Sequence, residues 1–512
     1  ALKSKDNNRR RHLKTRGAYC SQEKQEDSRT QKGASMTYHR KAAIFAAKAA
    51  ALLVSVSVSS LVHAQTAESD APPAGDDIIV TAQHREQRLQ DVGIAVSAIQ
   101  GTQLKQLDVN NATDLVRVVP TLKMNAFSSS QVVFNIRGVS LTDYGDQQEP
   151  PIAVYQDDSY GSSINLSSFP IFDLARAEVL RGPQGTLFGR NATGGAIQFI
   201  SNQPTKYLDG YVTVATGSYG KLRTESAISG PLTDRLQVRL AGIRDRDTGY
   251  FKNIAGGPDL MANNHWALRG ILAWQPTDTI SASLTVRYMR APHERQGGAY
   301  SLNATCPNDH LQGEFLPANV TCPFWAGNGL AGPGTTATGL TNDAINPQRG
   351  GDPWKLYQTG ENYSDREIYG STLHASFELG RFTLVSITDY QHSRKNFLES
   401  SLPDPGELFE QNSRLKQGTQ EFRLSSHLGA HELVVGAYGL INKGSYLAGY
   451  AIPFLDYYPL AISQQRTRSF ALFAQDEWTI APGVKLIGGV RYWNDERKGD
   501  YTVSEASTGV GL

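Results

Sequence analysis

From Asp209 onward the chain alternates apolar and polar residues with a period of two, and that pattern limits what it can fold into. Thr279–Tyr288 sets Ile280, Ala282, Leu284, Val286 and Tyr288 on one face and Ser281, Ser283, Thr285 and Arg287 on the other. Tyr369–Leu379 opposes Leu373, Ala375, Phe377 and Leu379 to Thr372, His374, Ser376 and Glu378 in the same way. Such runs form strands with two unlike faces. In a soluble sandwich the faces meet core and water; in a membrane barrel they meet lipid and a polar lumen, and the period alone does not choose. The connections choose. Short turns at 230–235, 275–279, 379–381, 428–431 and 480–484 alternate with longer polar stretches at about 245–263, 291–364, 395–417 and 445–465. Tight turns at one end and long loops at the other are the asymmetry of an outer-membrane barrel. The pattern predicts about eleven strands from Asp209, the last near Lys485–Asn494, with a twelfth beginning at Tyr501.

Composition excludes several classes. Of 512 residues 19% are charged, and the formal net charge is +1, which leaves no electrostatic footprint for nucleic acid. No run of about eighteen apolar residues follows residue 70, so membrane-spanning helices are not expected. The eleven histidines are scattered, and neither G-x-S-x-G nor H-E-x-x-H occurs, so an enzyme is not expected. Residues 1–35 are basic and polar and precede the first methionine, Met36; they read as a spurious upstream extension. Residues 36–64 then read as a signal peptide, with Tyr38–Lys41 as the positive region, Ala42–Val62 as the apolar stretch and Val62-His-Ala64 as the cleavage site. The alternatives are an uncleaved anchor and a basic nucleic-acid-binding arm. Cys306 and Cys322 fit one small disulfide loop in an oxidising compartment; with His310 alone beside them, zinc lacks a fourth ligand.

Residues 65–83 read as a flexible tether ending in a short β-prone segment, Asp77, Ile78, Ile79, Val80, Thr81 and Ala82. Residues 84–205 read as an α+β unit: a helix-compatible Gly101–Leu107, a capped stretch from Asn111 to a stop at Pro120, then Phe134-Asn-Ile-Arg137-Gly138, then Ile152–Asp158. A glycine-rich segment follows between two β-like runs, with Arg181, Gly182, Pro183, Gly185, Gly189, Asn191, Gly194 and Gly195 at its fixed points. Its spacing is neither G-x-G-x-x-G nor a G-K-[ST] phosphate loop. The order of these motifs closely resembles the plug domain of TonB-dependent outer-membrane receptors. One departure stands out: Asp158 occupies a place that usually holds glycine in that family.

The resemblance implies an α+β plug domain followed by an antiparallel transmembrane β-barrel over residues 206–512, in the outer membrane of a Gram-negative bacterium. A plugged transporter barrel has about twenty-two strands. The sequence therefore reads as a partial, open barrel cut near its middle, and Ser507–Leu512 lacks the closing aromatic strand. Asp77–Ala82 would be the TonB box, which pairs by β-augmentation with the energy-coupling protein TonB; an ordinary first strand is the alternative. Arg137 and Arg181 would latch the plug to barrel glutamates, with Glu421 and Glu477 as candidates. Apex loops carrying Tyr144, Asp146, Gln147, Tyr160 and Ser162 would bind ligand. The implied activity is TonB-energised import by a monomer set in outer-membrane lipid. A ferric siderophore is the favoured cargo, with iron entering only inside its chelator and no cofactor bound directly. An oligosaccharide or aromatic ligand, a passive porin and a surface binding protein are the alternatives.

Overall fold

The computed structural model describes residues 78–128, 131–141, 143, 145–295, 354–356, 360–400, 408–451 and 458–505. The upstream extension, the signal peptide, the tether, Asp77, Tyr144, Cys306 and Cys322 lie outside the described residues.

Nine short strands precede the alternating region: β1 (Ile79–Val80), β2 (Gln87–Arg88), β3 (Val96–Gln100), β4 (Leu122–Ser128), β5 (Gln131–Ile136), β6 (Ile152–Gln156), β7 (Ser159–Gly161), β8 (Leu174–Arg181) and β9 (Gly195–Ser201). The order β3-β8-β9-β6-β7 makes one sheet in which only β6 and β9 run parallel; β4 pairs with β5, and β1 with β2. Helices occupy Gly101–Gln106 and Leu115–Val118, inside the two stretches whose composition favours them. Gln100 and Gln103 cap the first reciprocally. Leu104, Leu115, Phe134, Ile136, Val179 and Ile197 close the core between these helices and the sheets.

The remaining strands are β10 (Asp209–Gly217), β11 (Lys221–Thr233), β12 (Leu236–Arg246), β13 (Lys252–Asn253), β14 (Asn264–Thr277), β15 (Ile280–Glu294), β16 (Lys355–Leu356), β17 (Tyr363–Leu379), β18 (Phe382–Ser400), β19 (Leu408–Leu428), β20 (His431–Ala451), β21 (Pro459–Ala481) and β22 (Val484–Glu505). All but β13 and β16 form one eleven-stranded antiparallel sheet in chain order. The alternation resolves inside-out. On β15 Leu284 and Val286 are 40% and 50% exposed on the outer face, while Thr285 and Arg287 are buried on the inner one. No helix among the described residues is long and apolar enough to cross a membrane; the apolar band is carried by strands.

Two expectations change. The stretches 395–417 and 445–465 are mostly strand, because β18 runs to Ser400, β19 starts at Leu408, β20 runs to Ala451 and β21 starts at Pro459. Beyond the lipid band both faces of a strand are wet, so an extended hairpin carries no apolar alternation to read. For the same reason the predicted twelfth strand at Tyr501 is the far end of β22.

The glycine-rich segment joins β8 to β9 through a loop over 182–194 that is closed at its base, where the Gly182 N–H donates to the Gly194 carbonyl at 3.0 Å. Gly195 has φ +150°, and a Cβ there would lie 2.2 Å from the Leu180 carbonyl oxygen; at Gly185 the nearest atom is 3.9 Å away. Gly195→Ala is therefore expected to destabilise the first domain by about 1–3 kcal/mol. Gly185→Ala should stay within about 0.5 kcal/mol. Urea unfolding of the two variants side by side checks the contrast.

Candidate functional site

The first domain sits against the inner, polar face of the large sheet. Its aromatic and aliphatic side chains find room there because the sheet offers small residues: Phe172 and Leu166 pack among Ala227, Ala241, Ala267 and Ala291. Tyr155, Leu187 and Phe188 meet Val434, Leu440 and Phe473. Between these apolar contacts lie charges that burial would make costly if they were unpaired.

Asp173 is the centre of the densest group. Its carboxylate, fully shielded from solvent, accepts hydrogen bonds from Arg239 Nε at 2.8 Å, Arg239 Nη2 at 2.5 Å and Asn202 at 2.9 Å, with Arg269 at 3.3 Å. Arg269 is one of the largest fully buried side chains; it also donates to the Phe172 and Asp173 carbonyls at 3.0 and 2.7 Å. The Asp173 N–H donates to Glu225 at 3.0 Å. Although burial raises it, the hydrogen bonds from Arg239 and the charge of Arg269 hold the Asp173 carboxyl below its ordinary pKa.

Three further groups repeat the theme. Asp146 and Lys395 form an ion pair at 2.8 Å with neither side chain exposed. Arg287 bridges to Asp389 at 2.9 Å, and Asp389 accepts the Ser159 hydroxyl at 2.7 Å. Asp158 meets Arg423 through both terminal nitrogens at 3.2 Å, while Arg423 also donates to Glu421 at 2.6 Å. Burial raises the Asp158 carboxyl, but the charge and hydrogen bonds of Arg423 outweigh it and hold the pKa at about 2. His84 lies 3.9 Å from Asp158, yet burial and Arg423 push its pKa down to about 3. It therefore stays neutral at ordinary pH, and the contact is a packing one.

Asp158 also answers the question raised by its unusual place. Asp157 and Asp158 have φ +50° and +62°, the conformation of a two-residue turn that normally selects glycine or asparagine. Both carboxylates offset the strain. Asp157 accepts the Ser201 N–H and hydroxyl at 2.7 and 2.6 Å, and Asp158 reaches across to the barrel.

The arginine latches are corrected. Arg181 stays inside its own domain and donates to the Val96 carbonyl at 3.5 Å. Arg137, at φ +53°, packs beside Gly182, where a Cβ would meet its guanidinium at 3.1 Å. Glu477 does tie the two parts together, through Arg85, with Lys485 at 2.6 Å on its other side, and Glu421 is held by Arg423. The polarity is thus largely reversed: aspartates from the first domain meet arginines and a lysine on the strands. The readable signal was the charged residues in the inward register of the strands, at 239, 269, 287, 395 and 423.

Three of the expected apex residues, Asp146, Tyr160 and Ser162, are buried against the sheet instead of lining an open apex. Tyr160 and Ser162 are buried and hold the domain to the sheet: the Tyr160 carbonyl accepts from Gln391 at 2.8 Å and from Gln417, and the Ser162 hydroxyl accepts from Asn442 at 2.9 Å. Asp146 is spent on Lys395, and the Gln147 carbonyl accepts from Arg497 at 2.8 Å. In the glycine-rich turn, Asn191 donates to Glu149 and to the Tyr160 hydroxyl, and the Thr186 carbonyl accepts from Arg491 at 3.2 Å.

The β-prone segment is docked. Ile79 and Val80 pair with Arg88 and Gln87, and Val80 and Ala82 are buried. Glu178, a fully buried carboxylate, accepts the Thr81 N–H at 2.9 Å and is held by Arg176 at 2.7 Å; Arg176 also donates to the Thr81 hydroxyl at 3.2 Å. Sequence reasoning missed this clasp because Glu178 is about a hundred residues away from the segment it holds.

A prediction follows from the Asp158 hairpin. Asp158→Gly relieves the positive φ but removes the contact to Arg423, so the first domain keeps its own stability while docking weakens by about 1–3 kcal/mol. Limited proteolysis of the domain against thermal unfolding of the barrel reads the two effects separately.

The TonB-dependent Receptor Plug Domain family matches residues 88–196, and the TonB dependent receptor-like, beta-barrel family matches residues 323–512, together more than half of the chain. The pesticin receptor of Yersinia pestis is 23% identical over 455 residues, covering 86% of this chain and 58% of the relative. The ferric enterobactin receptor PirA of Pseudomonas aeruginosa is 23% identical, covering 81% of this chain and 56% of the relative. Among solved structures, the ferric yersiniabactin uptake receptor FyuA from Yersinia pestis aligns with a TM-score of 0.63 at 20% identity, over 81% of this chain and 58% of that one. This chain thus spans somewhat over half the length of the curated relatives it matches. A plug seated on the polar face of an inside-out antiparallel sheet, matched by both family domains, places the chain among the TonB-dependent receptors of the Gram-negative outer membrane.

Proposed function

We propose that this receptor imports a ferric siderophore across the outer membrane, with TonB supplying the work. The observation that carries the reading is the docked segment 78–82. It is extended and β-branched, forms a two-residue ladder with Gln87 and Arg88, and is clasped at Thr81 by the buried Glu178 and its partner Arg176. A strand so held can be exchanged for pairing with a partner strand once the Glu178 clasp opens. Pulling on it would act directly on β8, the strand that carries Glu178 and leads into the glycine-rich turn. The cargo class is supported by the relatives, which are named for pesticin, ferripyoverdine and ferric enterobactin. Iron then belongs to the cargo and needs no resident protein site. The chain acts as a monomeric transporter and carries out no chemistry on its ligand.

The direct test deletes residues 77–82 from the full-length receptor and follows a panel of radio-iron-loaded siderophores of catecholate, hydroxamate and phenolate type on whole cells. Surface binding is expected to stay within about twofold while energised uptake falls to the level of a strain lacking TonB. Uptake that survives the deletion contradicts the reading in favour of a passive pore.

A further inference from the structure

The plug is fastened to the sheet unevenly. Its segment 157–173 carries polar rivets: Asp158 pairs with Arg423, Asn165 donates to Ser413 at 3.0 Å, and Asp173 lies between Arg239 and Arg269. Parting these contacts strands buried charge and buried donors.

The glycine-rich loop over 182–194 is held in another way. Among the described residues it forms no ion pair with the sheet, and its one charged side chain, Arg190, is tied to Glu149 of the plug at 2.7 Å. Leu187 and Phe188 rest on Val434 and Leu440 of β20 and Phe473 of β21. Among the described residues a single hydrogen bond joins the loop to a strand, from Arg491 on β22 to the Thr186 carbonyl at 3.2 Å. The rest of that contact is steric. A Cβ at Gly489 would lie 2.7 Å from the Thr186 methyl, and one at Gly189 would lie 2.5 Å from the Arg491 guanidinium. A bare position on each side thus receives the side chain of the other. Arg491 shares a face of β22 with Gly489, and its guanidinium lies over the Phe473 ring at 5.2 Å. When such contacts part, no carboxylate is stranded and water takes the place of the carbonyl. The loop can therefore leave its strands at lower cost than 157–173 can.

The coupling segment touches this loop directly. Val80 and Ala82 pack in the same apolar cluster as Leu187 and Phe188, and the His84 ring lies 4.5 Å from the Phe188 ring. Glu178, which clasps Thr81, stands on β8 just ahead of the loop. Drawing residues 78–84 away removes one wall of the loop's packing.

We propose, resting on TonB-energised import, that the lumen opens by withdrawal of loop 182–194 from β20–β22 while 157–173 stays fastened to its strands. Arg491 is the positioning residue that holds the loop in its closed register. The passage then lies between the loop and β22.

The test uses the full-length receptor in whole cells, with the radio-iron-loaded catecholate, hydroxamate and phenolate siderophores as probes. Two double-cysteine variants are closed with a short reducible thiol cross-linker, T186C/G489C across the loop and N165C/S413C across the fastened segment. Closing T186C/G489C is expected to cut uptake at least about tenfold, leave surface binding within about twofold and be reversed by reductant. Closing N165C/S413C should leave uptake and binding within about twofold. Uptake that survives the first closure, or is lost with the second, overturns the proposal. The import reading fails on a different result, uptake by the uncross-linked receptor in a strain lacking TonB. Arg491 is read without cargo, by labelling buried cysteines with a membrane-impermeant maleimide in the resting receptor. R491M is expected to raise labelling of L187C at least about fivefold and to leave N165C protected, while R491K keeps L187C within about twofold of its parent. Equal labelling of L187C in parent and R491M, or exposure of both cysteines together, overturns the role of Arg491.

Discussion

The arrangement depends on how buried charge is shared between plug and barrel. Asp173 lies between Arg239 and Arg269, Asp146 on Lys395, and Asp158 on Arg423; at each place the plug brings a carboxylate and the barrel a cation. Such pairs add little net stability over an apolar contact, because desolvation takes back most of the attraction. They are strict about geometry, however, and removing either partner strands a charge. A plug held in this way is fixed in one register, yet its contacts are of a kind that water can take over when it is displaced. An oil-like interface of the same area would give neither property.

The barrel creates the conditions for those pairs. Because its strands turn apolar residues such as Leu284 and Val286 outward, every second residue faces the lumen and is free to be polar. Small inward residues, including Ala241 and Ala267, admit the plug's aromatic side chains, and the charged ones between them set its position. The plug's first strand follows the same logic on a smaller scale, with one oxygen of the buried Glu178 carboxylate held by Thr81 and Arg176.

The strand pattern and the turn asymmetry were legible in the sequence because lipid demands an uninterrupted apolar face. The glycine-rich turn was legible because Gly195 permits no side chain. Strand ends were not, since β18 to β22 continue into water, where apolar alternation stops being required. The latches were misassigned for a different reason. Arg137 and Arg181 belong to recognisable motifs, but motif membership says nothing about which partner lies across the interface, and both serve their own domain. The residues that do latch were visible as oddities: charges in the inward register of strands, and an aspartate, Asp158, where the backbone adopts a glycine-like φ.

The claim that paired charges fix the plug is tested most directly by a double-mutant cycle on Asp146 and Lys395 in the full-length receptor, reading plug release by the accessibility of an engineered plug cysteine. Asp146→Asn and Lys395→Met are each expected to favour release, and the double variant to fall short of their sum by at least about 1 kcal/mol. Strictly additive effects would mean that the two charges are buried side by side without holding the plug, and would contradict the account.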